Sequence, residues 1–225
     1  VLITPSTYGT DNRLHLQAMR ELGPERTRMV AVVDDTVTDA ALREMHEAGV
    51  RGIRFNLVQA GVTTQAMVEP LSARVNALGW HVQFHMLADQ IAENEAMFAR
   101  LPSVIVFDHL GRVPMDRGVE HPGYQTVRRL MDRGRAWVKL SGAYMDTKVG
   151  AAGRWSDTVP VARGYHAGAP ERCVWASDWP HVTEPNDKPD DAALFDLLAD
   201  WVPDEAARRR VLVDNPAELY GFARP

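Results

Sequence analysis

Short runs of apolar and β-branched residues recur along the chain, and each is followed by polar or turn-forming residues. Most of these runs are continuously apolar rather than alternating, which is typical of parallel strands that are buried on both faces. The pattern predicts seven strands, at Val1–Thr4, Met29–Val33, Gly52–Phe55, His81–His85, Val104–His109, Trp137–Leu140 and Cys173–Ser177.

Segments with the apolar spacing of helices lie between the predicted strands. Asp11 and Asn12 are suitable caps for the first helix, and Gly23 is a typical stop signal. Pro70 predicts that the third helix starts there or kinks, because proline is poorly tolerated inside a helix. The spacing predicts five helices that end near residues 22, 48, 78, 101 and 131, of which the fourth runs without a break over 91–101. It further predicts only a short helix within 150–170, a helical tail from residue 190, and a final turn at 215–220.

Strand and helix alternate over the whole length, which indicates a parallel α/β architecture. No glycine-rich GxGxxG string follows any strand, so a dinucleotide-binding fold is disfavoured. Seven strands, the first of which opens the chain at Val1 without a polar lead-in, predict a (β/α)8 TIM barrel that lacks its first strand in an N-terminally truncated chain. We predict one domain over residues 1–225. Unpaired strand edges would make such a chain poorly soluble or unstable when expressed alone.

The composition restricts the class of partner. The 225 residues are 45% hydrophobic and 24% charged, with a formal net charge of −5 and no long basic run. These values disfavour nucleic acid and membranes, so a small-molecule substrate is the expected partner. The single cysteine, Cys173, has no partner for an intrachain disulfide, which favours a reducing, cytoplasmic compartment. The oligomeric state stays open, with a homo-oligomer as one alternative.

Polar side chains stand at the ends of several predicted strands, where the loops of a barrel build its active site. His85 ends one strand, His109 ends the next, and Asp178 follows the last apolar run. Imidazole binds metals or transfers protons near neutral pH, and a carboxylate can take a proton from water. We therefore predict His85, His109 and Asp178 as a water-activating catalytic set, with functional atoms within about 8 Å of one another. Lys139, within a strand, is interpreted as an ion-pair partner rather than a carbamylated metal ligand.

Five further residues are candidates for substrate binding. Arg54 and Asn56 stand at the end of the third strand, where Arg54 could pair with a substrate carboxylate or with an acidic side chain of the protein. Ser6 and Tyr8 follow the first strand, and their hydroxyls could contact a substrate or simply form a turn. His181 lies just beyond the last strand and is a candidate for substrate contact.

Five strings are the most specific motifs in the sequence. They are RGIRFN at 51–56, VFDHLGR at 106–112, VKLSG at 138–142, VWASDWPH at 174–181 and DNPAELYG at 214–221. These strings resemble the amidohydrolase-2 branch of the amidohydrolase superfamily. Within it, the chain is most similar to the 2-pyrone-4,6-dicarboxylate lactonase group of TIM-barrel hydrolases.

The resemblance implies a hydrolase that opens a lactone or related cyclic ester of a small, anionic, carboxylated substrate. Asp178 would be the base that takes a proton from water, and His85 and His109 would be the strand-end histidines. These three would also be the metal ligands if a metal is bound, and the family's His-x-His motif would belong to the missing first strand. The resemblance leaves open whether a divalent metal such as Zn²⁺ is present or catalysis is metal-independent.

Two departures from the lactonase pattern bear on the substrate. The lactonases place arginines at positions that correspond to Ala60 and to the neighbourhood of Met145, and this chain has none there. Their absence counts against a dicarboxylate. Two alternatives to a lactonase remain open: a zinc-dependent decarboxylase of a small aromatic or unsaturated acid, and a non-catalytic fragment or scaffold.

Overall fold

The computed structural model describes residues 1–223. Its strands are parallel where their register is defined, and the strand order follows the chain from the first to the seventh. All seven predicted strands are confirmed, with ends that differ by a few residues. The strands are β1 (Leu2–Ile3), β2 (Met29–Ala31), β3 (Val50–Asn56), β4 (His81–His85), β5 (Ile105–Phe107), β6 (Ala136–Leu140) and β7 (Cys173–Trp175).

Helices separate the strands, as the apolar spacing predicts. Asn12 precedes the first helix and Gly23 follows it, which confirms the predicted start and stop. Among residues 1–223, every helix is too short or too polar to cross a bilayer. The helices are α1 (Arg13–Leu22), α2 (Asp39–Ala48), α3 (Val68–Asn76), α4 (Ala88–Glu93), α5 (Glu95–Arg100), α6 (Pro122–Asp132), α7 (Ala143–Asp146), α8 (Val159–Gly168), α9 (Asp191–Trp201), α10 (Glu205–Arg209) and α11 (Asn215–Tyr220).

The prediction of one continuous helix over 91–101 is wrong. Asn94 leaves helical geometry, with φ −104° and ψ 14°, and separates α4 from α5. Its side-chain amide donates a hydrogen bond of 2.8 Å to the carbonyl of Gln90, which satisfies a carbonyl at the end of α4. In the segment 150–170, α8 reaches ten residues, where only a short helix was expected. Pro70 lies in the first turn of α3, where proline is tolerated, so the helix starts near it.

The chain divides into two compact units. Unit 1 comprises residues 1–85, 96–106 and 217–223, and unit 2 comprises residues 86–95 and 107–216. The expectation of a single domain stays a prediction.

The core of unit 1 forms around β3 and β4. Phe55 and Phe84 pair across these strands with ring centroids 5.7 Å apart, and Phe98 meets Phe84 edge to face at 5.2 Å. The register pairs Asn56, the last residue of β3, with His85, the last residue of β4. The two predicted site residues therefore stand side by side at the carboxyl ends of neighbouring strands.

In unit 2, α4 and α6 approach each other closely at a glycine. A Cβ on Gly123, in the first turn of α6, would lie 2.1 Å from the backbone oxygen of Ala88. Because both neighbouring groups are backbone, the clash cannot be relieved by turning a side chain. Only glycine fits this contact.

A buried ion pair joins the end of β5 to β6 in unit 2. Lys139 Nζ lies 3.1 Å from Asp108 Oδ1, and the two side chains are only 5% and 2% exposed. This contact confirms the interpretation of Lys139 as an ion-pair partner. Burying two charges costs several kcal/mol each unless they compensate one another, so each group depends on the other.

We expect Gly123→Ala to destabilise the protein by at least about 1–3 kcal/mol, because the helices must separate to admit the methyl group. Urea unfolding at equilibrium measures the change. Gly61→Ala is the matched control, since nothing lies within 4 Å of a Cβ at Gly61. Equal stability of the two variants would contradict the prediction.

We expect Lys139→Met to lower the free energy of unfolding by about 3–5 kcal/mol, because it leaves the buried carboxylate of Asp108 without its cation. The same urea titration measures this loss. Lys148→Met is the control, since the Lys148 side chain is 60% exposed and lies 3.9 Å from Asp116. A loss as small as that of the control would show that the ion pair contributes little.

Candidate active site

Residues 109–112 form a left-handed turn directly after β5 and Asp108. Their φ angles are 50° at His109, 54° at Leu110, 66° at Gly111 and 49° at Arg112. Each non-glycine residue in this conformation costs about 1–2 kcal/mol, so the turn needs support from its surroundings. Arg112 supplies it at one end, where its Nε donates to Oδ2 of Asp146 on α7 at 2.7 Å.

The turn presents the imidazole of His109 between two oxygen atoms. His109 Nδ1 lies 3.0 Å from the hydroxyl oxygen of Ser141, and Nε2 lies 3.7 Å from Oδ1 of Asp178. Gly142 packs against the same ring, since a Cβ there would approach His109 Nδ1 to 2.8 Å. Two of the three predicted catalytic side chains are thus brought together in unit 2.

Asp178 stands beyond β7 with φ 62°, and its second carboxylate oxygen is held by a residue that sequence reasoning missed. The hydroxyl of Tyr144 donates a hydrogen bond of 2.5 Å to Asp178 Oδ2. Burial, followed by the negative charge of Asp178, raises the pKa of Tyr144 above its ordinary value. The hydroxyl therefore keeps its proton and acts as a donor. The signal that could have found it is its place on α7, directly after β6, at a strand end.

The ring of His181 contacts Tyr144, while its backbone N–H donates to the carbonyl of Asp178 at 2.9 Å. Its Nδ1 is 3.3 Å from the Tyr144 hydroxyl, and its Nε2 is 3.1 Å from Oδ1 of Asp191 in the first turn of α9. The ring is 2% exposed, whereas the Asp191 side chain is 48% exposed. Both ring nitrogens thus face protein groups, and the expected substrate contact of His181 stays a prediction.

The remaining predicted site residues lie in unit 1. Asn56 Nδ2 donates to the hydroxyl oxygen of Ser6 at 2.6 Å, and both residues line a small pocket. Arg54 and His85 are buried at the ends of β3 and β4, 9% and 8% exposed respectively. Tyr8 is 43% exposed and packs edge to face on His15. The pocket is lined by Ser6, Val32, Asn56, Gln59, Ala60, Gly61, Val62 and Thr63.

The expected convergence of His85 with His109 and Asp178 stays a prediction, because the histidine belongs to one unit and the other two residues to the other. No group of three or more His, Cys, Asp or Glu side chains within residues 1–223 is arranged to hold a metal ion. Metal ligation by His85, His109 and Asp178 therefore stays a prediction. The chemistry below is derived without a metal.

Comparison with known proteins identifies the family. A family model described as amidohydrolase matches residues 1–222. A 2-pyrone-4,6-dicarboxylate hydrolase of Comamonas testosteroni is 33% identical over 98% of this chain and 75% of its own length. A 4-sulfomuconolactone hydrolase of Hydrogenophaga intermedia is 33% identical, covering 98% of this chain and 74% of the relative. A D-galactarolactone isomerase of Agrobacterium fabrum is 31% identical over 98% of this chain and 75% of the relative.

Solved structures agree with these relatives. An apo crystal structure of an Agrobacterium tumefaciens protein superposes with a TM-score of 0.89 at 29% identity, covering 99% of this chain and 78% of the other. A 2-pyrone-4,6-dicarboxylic acid hydrolase of Pseudomonas putida, described as putative in its source, gives 0.86 at 31% identity, covering 100% and 82%. These likenesses confirm the predicted fold class, a (β/α)8 TIM barrel, of which residues 1–223 supply seven strands.

The expected family resemblance therefore holds at the level of the whole chain. The strings at 106–112 and 174–181 carry the two side chains, His109 and Asp178, that meet in unit 2. The family model matches residues 1–222, and two hydrolases are 33% identical over nearly the whole chain. The chain therefore belongs to the amidohydrolase family and is one of its hydrolases.

Proposed function

We propose that this hydrolase opens a lactone, or a related cyclic ester, of a small carboxylated substrate by attack of an activated water. The observation that carries the proposal is the pair formed by Asp178 Oδ1 and His109 Nε2, 3.7 Å apart. At this separation the carboxylate oxygen can accept a hydrogen bond from a water while the imidazole nitrogen contacts the carbonyl that the water attacks. Two relatives whose names contain a lactone support the choice of substrate class.

In this reaction Asp178 takes a proton from water, and the hydroxide adds to the lactone carbonyl carbon. In the tautomer in which Ser141 donates to Nδ1 of His109, Nε2 carries a proton and can stabilise the developing negative charge on the carbonyl oxygen. The ring C–O bond then breaks, and the proton held by Asp178 passes to the departing alkoxide. The product is a hydroxy acid, and the base is regenerated.

We propose that the substrate-binding candidates, which stand at the end of β3 and after β1, hold the substrate. Arg54 would hold a substrate carboxylate through a bidentate contact. His85 stays a predicted member of the catalytic set. Asn56, Ser6 and Tyr8 would contact the rest of the substrate. The solved structure of a probable 2-pyrone-4,6-dicarboxylic acid hydrolase of Acinetobacter baumannii has citric acid bound. This ligand supports a carboxylated substrate. Without the second and third arginines of the lactonases, a monocarboxylate is favoured.

We also propose a reducing, cytoplasmic compartment. Cys173 is the single cysteine of the sequence, and its thiol is buried with Sγ 3.6 Å from the carbonyl oxygen of Ala169. Burial raises the pKa of the thiol, so it stays protonated and unreactive. A protein with this cysteine usage does not depend on disulfide formation.

We expect Asp178→Asn to lower kcat by about 10²–10⁴-fold with little change in KM, because it removes the proton acceptor while preserving the shape of the side chain. Steady-state hydrolysis of a panel of monocarboxylated lactones measures the effect. Asp196→Asn, on the exposed face of α9, is the matched control. A near wild-type kcat for Asp178→Asn would remove this residue from the mechanism, and a wild-type protein that opens no lactone would overturn the proposed function.

We expect Arg54→Met to raise KM by roughly tenfold or more and to change kcat less, because a carboxylate contact is made equally in the ground state and the transition state. The same steady-state assay separates the two constants. Arg43→Met, at an exposed position of α2, controls for the loss of a positive charge. Loss of kcat at unchanged KM would assign Arg54 to the chemical step instead.

A further inference from the structure

We propose that Tyr144 is a positioning residue that determines which carboxylate oxygen of Asp178 acts as the base. The inference rests on the proposed function, in which Asp178 takes a proton from water. It assigns Oδ1 as the reactive oxygen and Oδ2 as the oxygen that holds the side chain in place.

The two oxygens of Asp178 have different surroundings. Oδ2 accepts the Tyr144 hydrogen bond at 2.5 Å, a distance typical of a strong bond between a hydroxyl and a charged carboxylate. Oδ1 points toward His109 Nε2 at 3.7 Å, beyond hydrogen-bond range. A carboxylate oxygen that already accepts a short hydrogen bond is the poorer proton acceptor, so the proton from water goes to Oδ1.

The hydroxyl of Tyr144 is suited to act as a permanent donor. Its side chain is partly buried, and burial together with the charge of Asp178 favours the neutral phenol. Tyr144 therefore does not compete with Asp178 for the proton of water. Its ring reaches the carboxylate from α7, a different element from the loop that carries Asp178.

A second contact fixes the ring of Tyr144 from behind. The rings of Tyr144 and His181 meet edge to face with centroids 5.3 Å apart, and His181 is tied through Nε2 to Asp191 at 3.1 Å. Asp178 and His181 have φ angles of 62° and 56°, so the loop after β7 is held in an unfavourable conformation at two positions. The contacts from Asp191 through His181 to Tyr144 therefore support the loop and fix the orientation of the Asp178 carboxylate.

The experiment compares Tyr144→Phe with the matched variant Tyr165→Phe. Both remove one partly or fully buried hydroxyl and keep the ring, and the Tyr165 hydroxyl has no hydrogen-bond partner within residues 1–223. We expect Tyr144→Phe to lower kcat for lactone hydrolysis roughly tenfold to a hundredfold, the range for losing a hydrogen bond to a charged group, with KM within about twofold of wild type. Tyr165→Phe should keep kcat within about twofold.

A second variant and a second measurement keep the inference testable if Tyr144→Phe does not fold or if the assay uses the wrong substrate. Asp191→Asn leaves Tyr144 in place but weakens its support, and we expect a fall in kcat of roughly twofold to tenfold. In protein with ¹³C-labelled aspartate, the Cγ resonance of Asp178, assigned by its loss in Asp178→Asn, should move in Tyr144→Phe and stay in Tyr165→Phe.

The outcomes separate the two proposals. A wild-type protein that opens lactones while Tyr144→Phe keeps its kcat overturns the inference and leaves the proposed function intact. A rise in KM alone also overturns it, because Tyr144 would then contact the substrate. If the wild type opens no lactone, the proposed function fails. The Cγ resonance of Asp178 then still tests the inference, because a signal that does not move in Tyr144→Phe overturns the contact between Tyr144 and Asp178.

Discussion

The ion pair between Asp108 and Lys139 is the contact on which the arrangement of unit 2 depends. Asp108 directly precedes His109, so the pair fixes the point at which β5 becomes a left-handed turn. At the other end of the turn, Arg112 is held by Asp146. A backbone conformation that is unfavourable in itself thus persists because charges with a high desolvation cost tie down both ends. The position of the His109 ring follows from this constraint.

Much of this organisation could be predicted from the sequence because its causes are local. Buried parallel strands leave continuous apolar runs, and helices leave apolar spacing and stops such as Gly23, so the strands and their order could be predicted. The meeting of His109 with Asp178 could be predicted because the loops at the carboxyl ends of barrel strands lie together.

Other features could not be predicted, because they depend on contacts between residues distant in sequence or on local geometry that the apolar spacing does not determine. Tyr144 meets Asp178 across 34 positions of sequence. Its place after β6 marks it as a strand-end residue, but only the fold shows which partner its hydroxyl contacts. The break at Asn94 interrupts an apolar spacing that is still helical on both sides. Likewise, both nitrogens of His181 face protein side chains, which only the folded structure determines.

Asp191 gives the site a connection to the protein surface. Its carboxylate is half exposed, yet only His181 and Tyr144 separate it from the oxygen of Asp178 that the tyrosine holds. Substitutions among such exposed residues usually have small effects on stability and are readily accepted. A substitution at Asp191 would therefore reach the carboxylate of Asp178 from the protein surface, through His181 and Tyr144.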